Sequence, residues 1–425
     1  MMPKVVAKIL PRMNARLMEL SVVFVISLGP LMQLAYSQQQ PTPNNTQNGF
    51  NFNISNNSGD SIYPSIASSR NNVYAVWQDD HFGEAVSYDR KNYDILFARS
   101  TNGGNSFENA TNLTNNIALS GRPIITAFGE KVYVLWIEDT RESKQIWFRK
   151  STNNGSTFDR AINLGSDHYA IDSIVPKAIA ASGDNVYVVW RQLSDDGKAG
   201  SVLFRASKDS GNSFGEIAKV SDNAVHSSSP KVAAFDNNVY IVWDVLEDEA
   251  RSTNRSQGIF FAKSSDGGIN FEDEIELNGD KEIGEGQVAV SSNKVFVAWT
   301  GSIYDTKKTI NDVFLTTSND TGITFEDPIL VNSDFVDSEN VELSPAEGRL
   351  EIVWQDKVTG NGEIFYRSLN NDTKLSSVKD VRNLSDTEGL SECPSIATSG
   401  NSTYVVWEDS TYGNHEIFFK KLISI

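Results

Sequence analysis

Runs of consecutive apolar residues, each ending in tryptophan, recur along the chain from residue 73 onwards. They read VYAVW, VYVLW, VYVVW, VYIVW, VFVAW, LEIVW and TYVVW, and they end at Trp77, Trp136, Trp190, Trp243, Trp299, Trp354 and Trp407. Successive tryptophans lie between 53 and 59 residues apart. A near-constant period of this length is typical of an array built from one supersecondary unit.

Each repeat holds four strand-like segments separated by turn residues. A short run such as PSIA (64–67) comes first, the tryptophan run second, ILFARS (95–100) third, and a weaker run such as FENATNLT (107–114) last. Continuous apolar runs without a helical period predict strands that are buried on both sides. Seven such units predict an all-β fold, a seven-bladed β-propeller with four antiparallel strands in each blade.

The two ends of the repeat array complement each other. The last copy stops after its third strand, EIFFKKLISI (416–425), whereas FNFNIS (50–55) precedes the first copy and matches a fourth strand. We therefore expect the N-terminal strand to complete the seventh blade. This pairing would close the ring and leave no open sheet edge.

The residues before the repeats have a different composition. Residues 1–37 combine a basic start, an apolar stretch interrupted by Gly29 and Pro30, and small residues near Ser37, which predicts a signal peptide. Residues 38–49, QQQPTPNNTQNG, predict a flexible linker. The propeller is then expected over residues 50–425, in a protein that is secreted or lies at the extracellular surface.

The chain is strongly acidic, with a formal net charge of −18. Removal of residues 1–37 takes away four basic residues and one glutamate, which leaves −21. This charge repels nucleic acid and anionic lipid, so we expect no nucleic-acid partner and no membrane insertion of the mature chain. We also expect the protein to be a monomer. Cys393 is the only cysteine, so no internal disulfide can form, and we expect it to be a small buried apolar side chain.

The turn between the third and fourth strands carries a short motif. It reads SKDSGNSF (207–214), SSDGGINF (264–271) and SNDTGITF (318–325), and Asn replaces Asp in STNGGNSF (100–107) and STNNGSTF (151–158). The motif resembles the Asp-box of sialidase-like, bacterial-neuraminidase-repeat propellers, and the resemblance covers residues 50–425. It implies that the acid or amide of each box stabilises its turn, on the face opposite the active site. These structural residues are Asn102, Asn153, Asp209, Asp266 and Asp320.

The resemblance to sialidases does not extend to their catalytic residues. Three arginines bind the substrate carboxylate in that family, and one of them lies in a Phe-Arg-Ile-Pro segment that is absent from this chain. Arg122, in GRPI, and Arg191, directly after Trp190, are the candidates for a catalytic site. The tyrosine and glutamate of the family's nucleophile pair have no recognisable counterpart, so we expect no sialidase activity.

Carboxylates gather in the loops that follow the tryptophan runs. Five of the seven repeats place an acid within three residues of the tryptophan, and loops after the second strand share one face of a propeller. One hypothesis is that these carboxylates meet at the channel mouth and bind calcium, which accepts six to eight oxygen ligands in loose geometry. The other is that they are solvated loop residues. The candidate metal ligands are Asp79, Asp139, Asp244, Asp356 and Asp409.

Three functional classes fit these features. The first is an exported binding module for a glycan, a surface protein or a cation-bridged partner, because an acidic face suits a cation or a neutral glycan better than a carboxylated sugar. The second is a glycoside hydrolase of the exo-sialidase type, and the third is a metal-dependent lyase or hydrolase. An arginine cluster at the channel mouth would favour the hydrolase over the binding module.

Overall fold

The structure is a computed structural model that describes residues 51–81, 92–116, 118–140, 143–165, 171–173, 178–193, 200–221, 226–246, 256–278, 283–302, 311–332, 337–357, 360–370 and 381–423. The predicted signal peptide (1–37) and linker (38–49) lie outside these ranges. Every regular element in the described ranges is a β-strand. The same ranges contain no apolar helix of the length that a bilayer requires.

The strands form seven antiparallel blades that correspond to the seven repeats, and a pairing of Ser256 with Ile283 joins blades 4 and 5 into one eight-stranded sheet. Strand β1 (Phe52–Asn53) precedes blade 1, which comprises β2 (Ser61–Ser69), β3 (Asn72–Asp79), β4 (Asp94–Ser100) and β5 (Thr111–Asn112). Blade 2 comprises β6 (Leu119–Phe128), β7 (Lys131–Thr140), β8 (Ser143–Ser151) and β9 (Ile162–Asn163). Blade 3 comprises β10 (Ile171–Ser173), β11 (Ile179–Ser182), β12 (Asn185–Leu193), β13 (Gly200–Ser207) and β14 (Ala218–Lys219).

The remaining four blades repeat this arrangement. Blade 4 comprises β15 (His226–Phe235), β16 (Asn238–Leu246), β17 (Ser256–Ser264) and β18 (Ile275–Glu276). Blade 5 comprises β19 (Ile283–Ser291), β20 (Lys294–Ser302), β21 (Asn311–Ser318) and β22 (Ile329–Leu330). Blade 6 comprises β23 (Ser338–Ala346), β24 (Arg349–Asp356), β25 (Glu363–Asn370) and β26 (Arg382–Asn383). Blade 7 comprises β27 (Ser391–Ser399), β28 (Ser402–Asp409), β29 (Glu416–Ile423) and, from the other end of the chain, β1.

Strand β1 supplies the outer strand of blade 7. Phe52 lies opposite Phe419 and Asn53 opposite Phe418 in an antiparallel pairing. The Ile54 amide continues the pairing by donating to the Ile417 carbonyl at 2.8 Å. The two ends of the propeller are therefore joined by backbone hydrogen bonds without a covalent link.

Aromatic side chains carry the packing from one blade to the next. Within blade 4, Tyr240 stacks on Phe261 with ring centroids 6.2 Å apart, and Phe325 from the turn of blade 5 meets Phe261 edge-on at 4.9 Å. The edge-on contact recurs around the ring as Phe97–Phe158, Phe148–Phe214, Phe204–Phe271 and Phe107–Phe419. Since the last of these pairs joins blade 1 to blade 7, the aromatic packing is continuous across the junction.

The Asp-box turns hold these aromatic contacts in place. Asp266 accepts the Asn270 and Ile269 amides at 3.0 Å each and the Ser264 hydroxyl at 2.7 Å, and hydrogen bonds from Asn270 and Ser264 keep the pKa of its carboxyl well below the ordinary value. Gly268 has a φ of +82°, and a Cβ there would lie 2.3 Å from Phe204 of the preceding blade. Only glycine satisfies both the backbone conformation and the close contact.

Arginines of the third strands join neighbouring blades. Arg205 donates from Nη1 to the Leu164 carbonyl of blade 2 at 3.0 Å, and Arg149 and Arg367 donate in the same way to Leu113 and Val331. Arg99 instead donates to the Asn154 carbonyl of the following blade at 3.1 Å. These recurring arginines stabilise the ring and are not part of the site described below.

The pairing of β1 predicts how the fold depends on its first residues. A chain that begins at residue 57 leaves β29 as an open edge and exposes the ring of Phe419 that Phe52 covers. We expect it to lose several kcal/mol of unfolding free energy relative to a chain that begins at residue 50. Thermal and urea unfolding of the two chains measure the difference. Equal midpoints would show that β1 contributes nothing to closure.

Candidate functional site

Three of the five predicted metal ligands are buried within their own blades. Asp79 accepts the Trp77 indole N–H at 3.0 Å, the Ser61 hydroxyl at 2.7 Å and the His81 amide at 2.8 Å. Asp356 and Asp409 accept the indole N–H of Trp354 and Trp407 in the same way, at 3.3 Å each. In a strand the residue two positions after the tryptophan shares its face, so these carboxylates satisfy buried donors within the blade.

The other two predicted ligands occupy different positions. Glu138, and not Asp139, accepts the Trp136 indole N–H at 3.2 Å, while Asp139 is half-buried at the end of β7. Asp244 follows Trp243 directly, so its side chain lies on the opposite face of β16. No three His, Cys, Asp or Glu side chains of the described residues lie close enough together to hold a metal ion. The expected convergence of the five aspartates is not seen.

In six of the blades the first strand contains a β-bulge near the channel mouth. The register shifts between Ile62 and Ser65 in blade 1, and shifts recur at the corresponding places in blades 2, 4, 5, 6 and 7. In five of these bulges a non-glycine residue has φ between +44° and +53°, in the left-handed region that side chains rarely occupy. These residues are Tyr63, Arg122, Ser229, Asn340 and Cys393.

Side chains from the preceding blade hold two of these bulges in their unusual conformation. Glu408 accepts the Tyr63 amide at 2.8 Å, and Gln78 accepts the Arg122 amide at 3.1 Å. Both acceptors directly follow the tryptophan of the second strand. Burial raises the pKa of Glu408, and the Tyr63 amide opposes this effect. In blades 7 and 1 the residue after the tryptophan therefore positions the bulge of the next blade.

The bulges of five blades surround a cavity of about 360 Å³ at the mouth of the channel. Tyr63 and Arg122 lie on one side of it, and Glu285, Gln287 and Asn340 lie on the other. The Arg122 guanidinium is exposed and lies over the Tyr63 ring, 5.4 Å from its centroid. It forms no hydrogen bond or ion pair with any described residue, so it is available to a ligand in the cavity.

Three buried polar side chains, one from each of blades 4, 5 and 6, lie just below the bulges. These are Lys231, Gln287 and Glu342, with exposures of 0%, 3% and 3%. Lys231 donates to Glu285 at 3.0 Å, and its charge holds the pKa of that carboxyl below the ordinary value. Glu285 is thus an ionised acceptor at the cavity wall that a buried ammonium fixes in place.

Asp244 lies close to this ion pair. Burial, and next the charge of Glu285, raise the pKa of Asp244 to about 7, although Lys231 and Arg191 act in the opposite direction. The side chain of Asp244 is 4% exposed. Two neighbouring carboxyls therefore have pKa values displaced in opposite directions, as in many acid–base pairs.

The structure brings the two predicted catalytic arginines to the same face but gives them different surroundings. Arg122 lines the cavity, whereas Arg191 is buried beside Asp244 and is not among the lining residues. A Cβ on Gly200 would lie 2.5 Å from Arg191 Nε, so the glycine leaves room for the guanidinium. No arginine triad surrounds the cavity within the described residues.

The expectation for Cys393 was wrong. Its side chain is partly exposed and lines the cavity, because Cys393 occupies the left-handed bulge position of blade 7. The surroundings raise the pKa of the thiol far above its ordinary value, through burial and then through the charge of Glu408. The thiol is therefore a neutral group at the cavity edge.

Several residues that line the cavity were not predicted from the sequence, although the sequence contains a signal for them. Proline follows the bulge residue at Pro64, Pro123, Pro230 and Pro394. Proline within a strand is confined to edges and bulges, so its recurrence in the first strands marks the bulge positions. Glu285 and Asn340 have no following proline, and only the register of their strands reveals that they are equivalent.

Known proteins resemble this chain in structure and not in sequence. No protein-family model and no curated protein sequence matches it. An ulvan lyase of polysaccharide lyase family PL25 is similar over 88% of this chain and 96% of its own, with 7% identity and a TM-score of 0.58. At this identity the similarity is one of fold.

Sialidases are also among the similar structures. The Hadza microbial sialidase Hz136 has 12% identity and a TM-score of 0.48 over 86% of this chain, and Trypanosoma rangeli sialidase has 12% identity and a TM-score of 0.46 over the same share. This chain spans 66% of the first enzyme and 55% of the second. The resemblance to sialidase-like propellers holds for the fold, since the structure is itself a seven-bladed propeller.

The displaced pKa of Asp244 predicts a dependence of stability on pH. The folded protein keeps a proton on Asp244 that the unfolded chain releases near pH 4, so the contribution of Asp244 to stability falls between about pH 4 and 7. Asp244→Asn removes this effect, and its stability relative to wild type should rise by a few kcal/mol across that interval. Urea unfolding at pH 4, 5.5, 7 and 8 measures the gap.

The exposed Asp273 provides a matched control, as Asp273→Asn. A gap between Asp244→Asn and wild type that stays constant with pH would show that folding does not raise the pKa of Asp244.

Proposed function

We propose that this protein is an exported glycan-binding propeller, monomeric and active outside the cell, whose ligand site is the cavity at the channel mouth. The observation that carries the proposal is the Tyr63–Arg122 pair, an aromatic ring and an unpaired guanidinium held by adjacent bulges on one wall of that cavity. The seven-bladed fold is shared with an ulvan lyase, by its name an enzyme of a polysaccharide.

The composition of the cavity supports a sugar as the ligand. Ligand sites combine apolar surface with a few polar groups at fixed positions. Here Pro64, Pro123 and Ile124 supply apolar surface, while Arg122 and Asn340 supply donors in planar groups. Sugars present the same combination, since hydroxyl groups ring an apolar C–H face that can lie against an aromatic side chain.

Loss of the guanidinium tests the proposal. Arg122→Ala removes the one unpaired cation among the described lining residues, and we expect affinity for a bound glycan to fall at least about tenfold. Binding is measured on an array of neutral, acidic and amino-sugar glycans and then by calorimetry on the strongest of them. Tyr63→Ala should weaken the same glycan.

Arg70→Ala is the control. Arg70 also has a left-handed backbone, but it lies in the turn at the opposite end of the strands and forms an ion pair with Glu130 at 3.8 Å. The proposal fails if wild-type protein binds no glycan on the array, or if Arg122→Ala binds as tightly as Arg70→Ala.

A glycoside hydrolase is the second candidate, favoured by one observation. Asp244 has a pKa of about 7 and Glu285 a depressed one, so near neutral pH one carboxyl can donate a proton while the other is ionised. The protonated and ionised members of such a pair are the groups that glycoside hydrolysis requires.

Fluorogenic glycosides separate hydrolysis from binding. If the pair is catalytic, wild-type protein releases methylumbelliferone from at least one 4-methylumbelliferyl glycoside, with a rate that declines above about pH 7. Asp244→Asn should abolish this release, and Arg70→Ala should not change it. Absence of release from a panel that includes the sialoside, galactoside and arabinofuranoside would leave the binding function alone.

A further inference from the structure

Gln287 is a buried polar residue that lines the cavity and whose side-chain amide forms no hydrogen bond within the described residues. Gln287 lies on β19 in blade 5, with 3% of its surface exposed. Its Oε1 is buried without a hydrogen-bond partner, and no hydrogen bond joins its amide to any described residue. Buried polar groups in native proteins are satisfied with few exceptions, so this amide requires an explanation.

The corresponding side chains of blades 1, 4 and 7 differ from Gln287 in this respect. Ser65 of blade 1 accepts the Ile125 amide and Ser395 of blade 7 accepts the Ile66 amide, each at 3.3 Å. Lys231 of blade 4 donates to Glu285. In these three blades the side chain at this level of the channel bonds to the neighbouring blade, whereas Gln287, on the cavity wall across from Arg122, does not.

We infer that Gln287 is a specificity-determining residue that binds two adjacent hydroxyl groups of a sugar through the two ends of its amide. A primary amide presents one acceptor and two donors side by side. Adjacent sugar hydroxyls present an acceptor and a donor in the same spacing, so the two groups are complementary, whereas a carboxylate accepts only and an ammonium donates only. The ligand class is therefore a sugar with a free vicinal diol. This inference rests on the proposed function of the cavity.

A role of Gln287 in ligand binding and a role in stabilising the fold predict opposite changes in the melting temperature of Gln287→Met. If the amide is reserved for a ligand, it remains unsatisfied in the free protein, and Gln287→Met removes that cost without opening a cavity. The free variant should then melt at a temperature equal to or above that of wild type, while its glycan binding falls. If the amide instead serves the fold, the same substitution lowers the melting temperature.

Gln355→Met is the matched control. Gln355 is 1% exposed, but its amide accepts from Asn340 at 2.9 Å and donates to Glu392 at 3.2 Å. Because its partners lose their bonds, we expect this variant to melt below wild type. The pair of variants compares the same side chain, similarly buried, with and without partners in the protein.

The experiment combines melting curves with the glycan array in two forms, untreated and after mild periodate oxidation, which cleaves the carbon–carbon bond of vicinal diols. We expect wild-type protein to bind glycans of the untreated array and to lose them on the oxidised one. Gln287→Met should bind the same glycans at least about tenfold more weakly, with an undiminished melting temperature.

Three results would overturn the inference. Gln287→Met could melt below wild type, it could bind the array unchanged, or wild-type binding could survive periodate. In the last two cases the array still shows glycan binding, so the proposed function stands without this residue or this diol. If wild-type protein binds nothing on the untreated array, the proposed function fails and the inference with it.

Discussion

Each blade of this protein has two apolar faces, and both must be covered by another blade. The tryptophans that end the apolar runs are buried to 2% exposure or less in all seven copies, which is possible only when the last blade packs against the first. The edge-on contact of Phe107 with Phe419, and the pairing of β1 with β29, provide that closure. Ring closure is therefore the constraint on which the rest of the structure depends, because without it two blades lose a covered face.

The same constraint creates the candidate site. Closing seven blades into a ring brings their first strands together around the channel, so residues such as Arg122 and Gln287, more than 160 positions apart, line one cavity. The bulges turn Tyr63 and Arg122 into the mouth, and side chains of the preceding blade hold them there. Blade packing thus accounts for both the stability of the fold and the position of the side chains that line the cavity.

The acidic residues divide into groups with different physical roles. Asp79, Asp356 and Asp409 accept hydrogen bonds from buried indoles, and the Asp-box acids accept bonds within their turns. Glu285 and Asp244 instead form an ionic group with Lys231 beside the cavity. A large negative charge on this chain therefore gives little information about its ligand, because much of it stabilises the fold.

The sequence alone was sufficient for the fold, because the signal is local and occurs seven times. Apolar runs, turn residues and the unpaired strand at each end specify the number of blades, the strands in each and the closure by residues near Phe52. The turn after the third strand is also a local feature, since Asp266 and Gly268 act within a few residues of each other.

The site was decided by the tertiary structure. Asp79 and Asp244 both lie within three residues of a tryptophan and were therefore predicted to share a site. Asp79 is two residues after its tryptophan and Asp244 only one, so their side chains lie on opposite faces of their strands. Cys393 was expected in the core and lies at the cavity, because a bulge held by neighbouring chain segments sets its backbone conformation. Whether a polar side chain is satisfied, as Gln355 is and Gln287 is not, depends on partners in other strands, and no local pattern of residues encodes those partners.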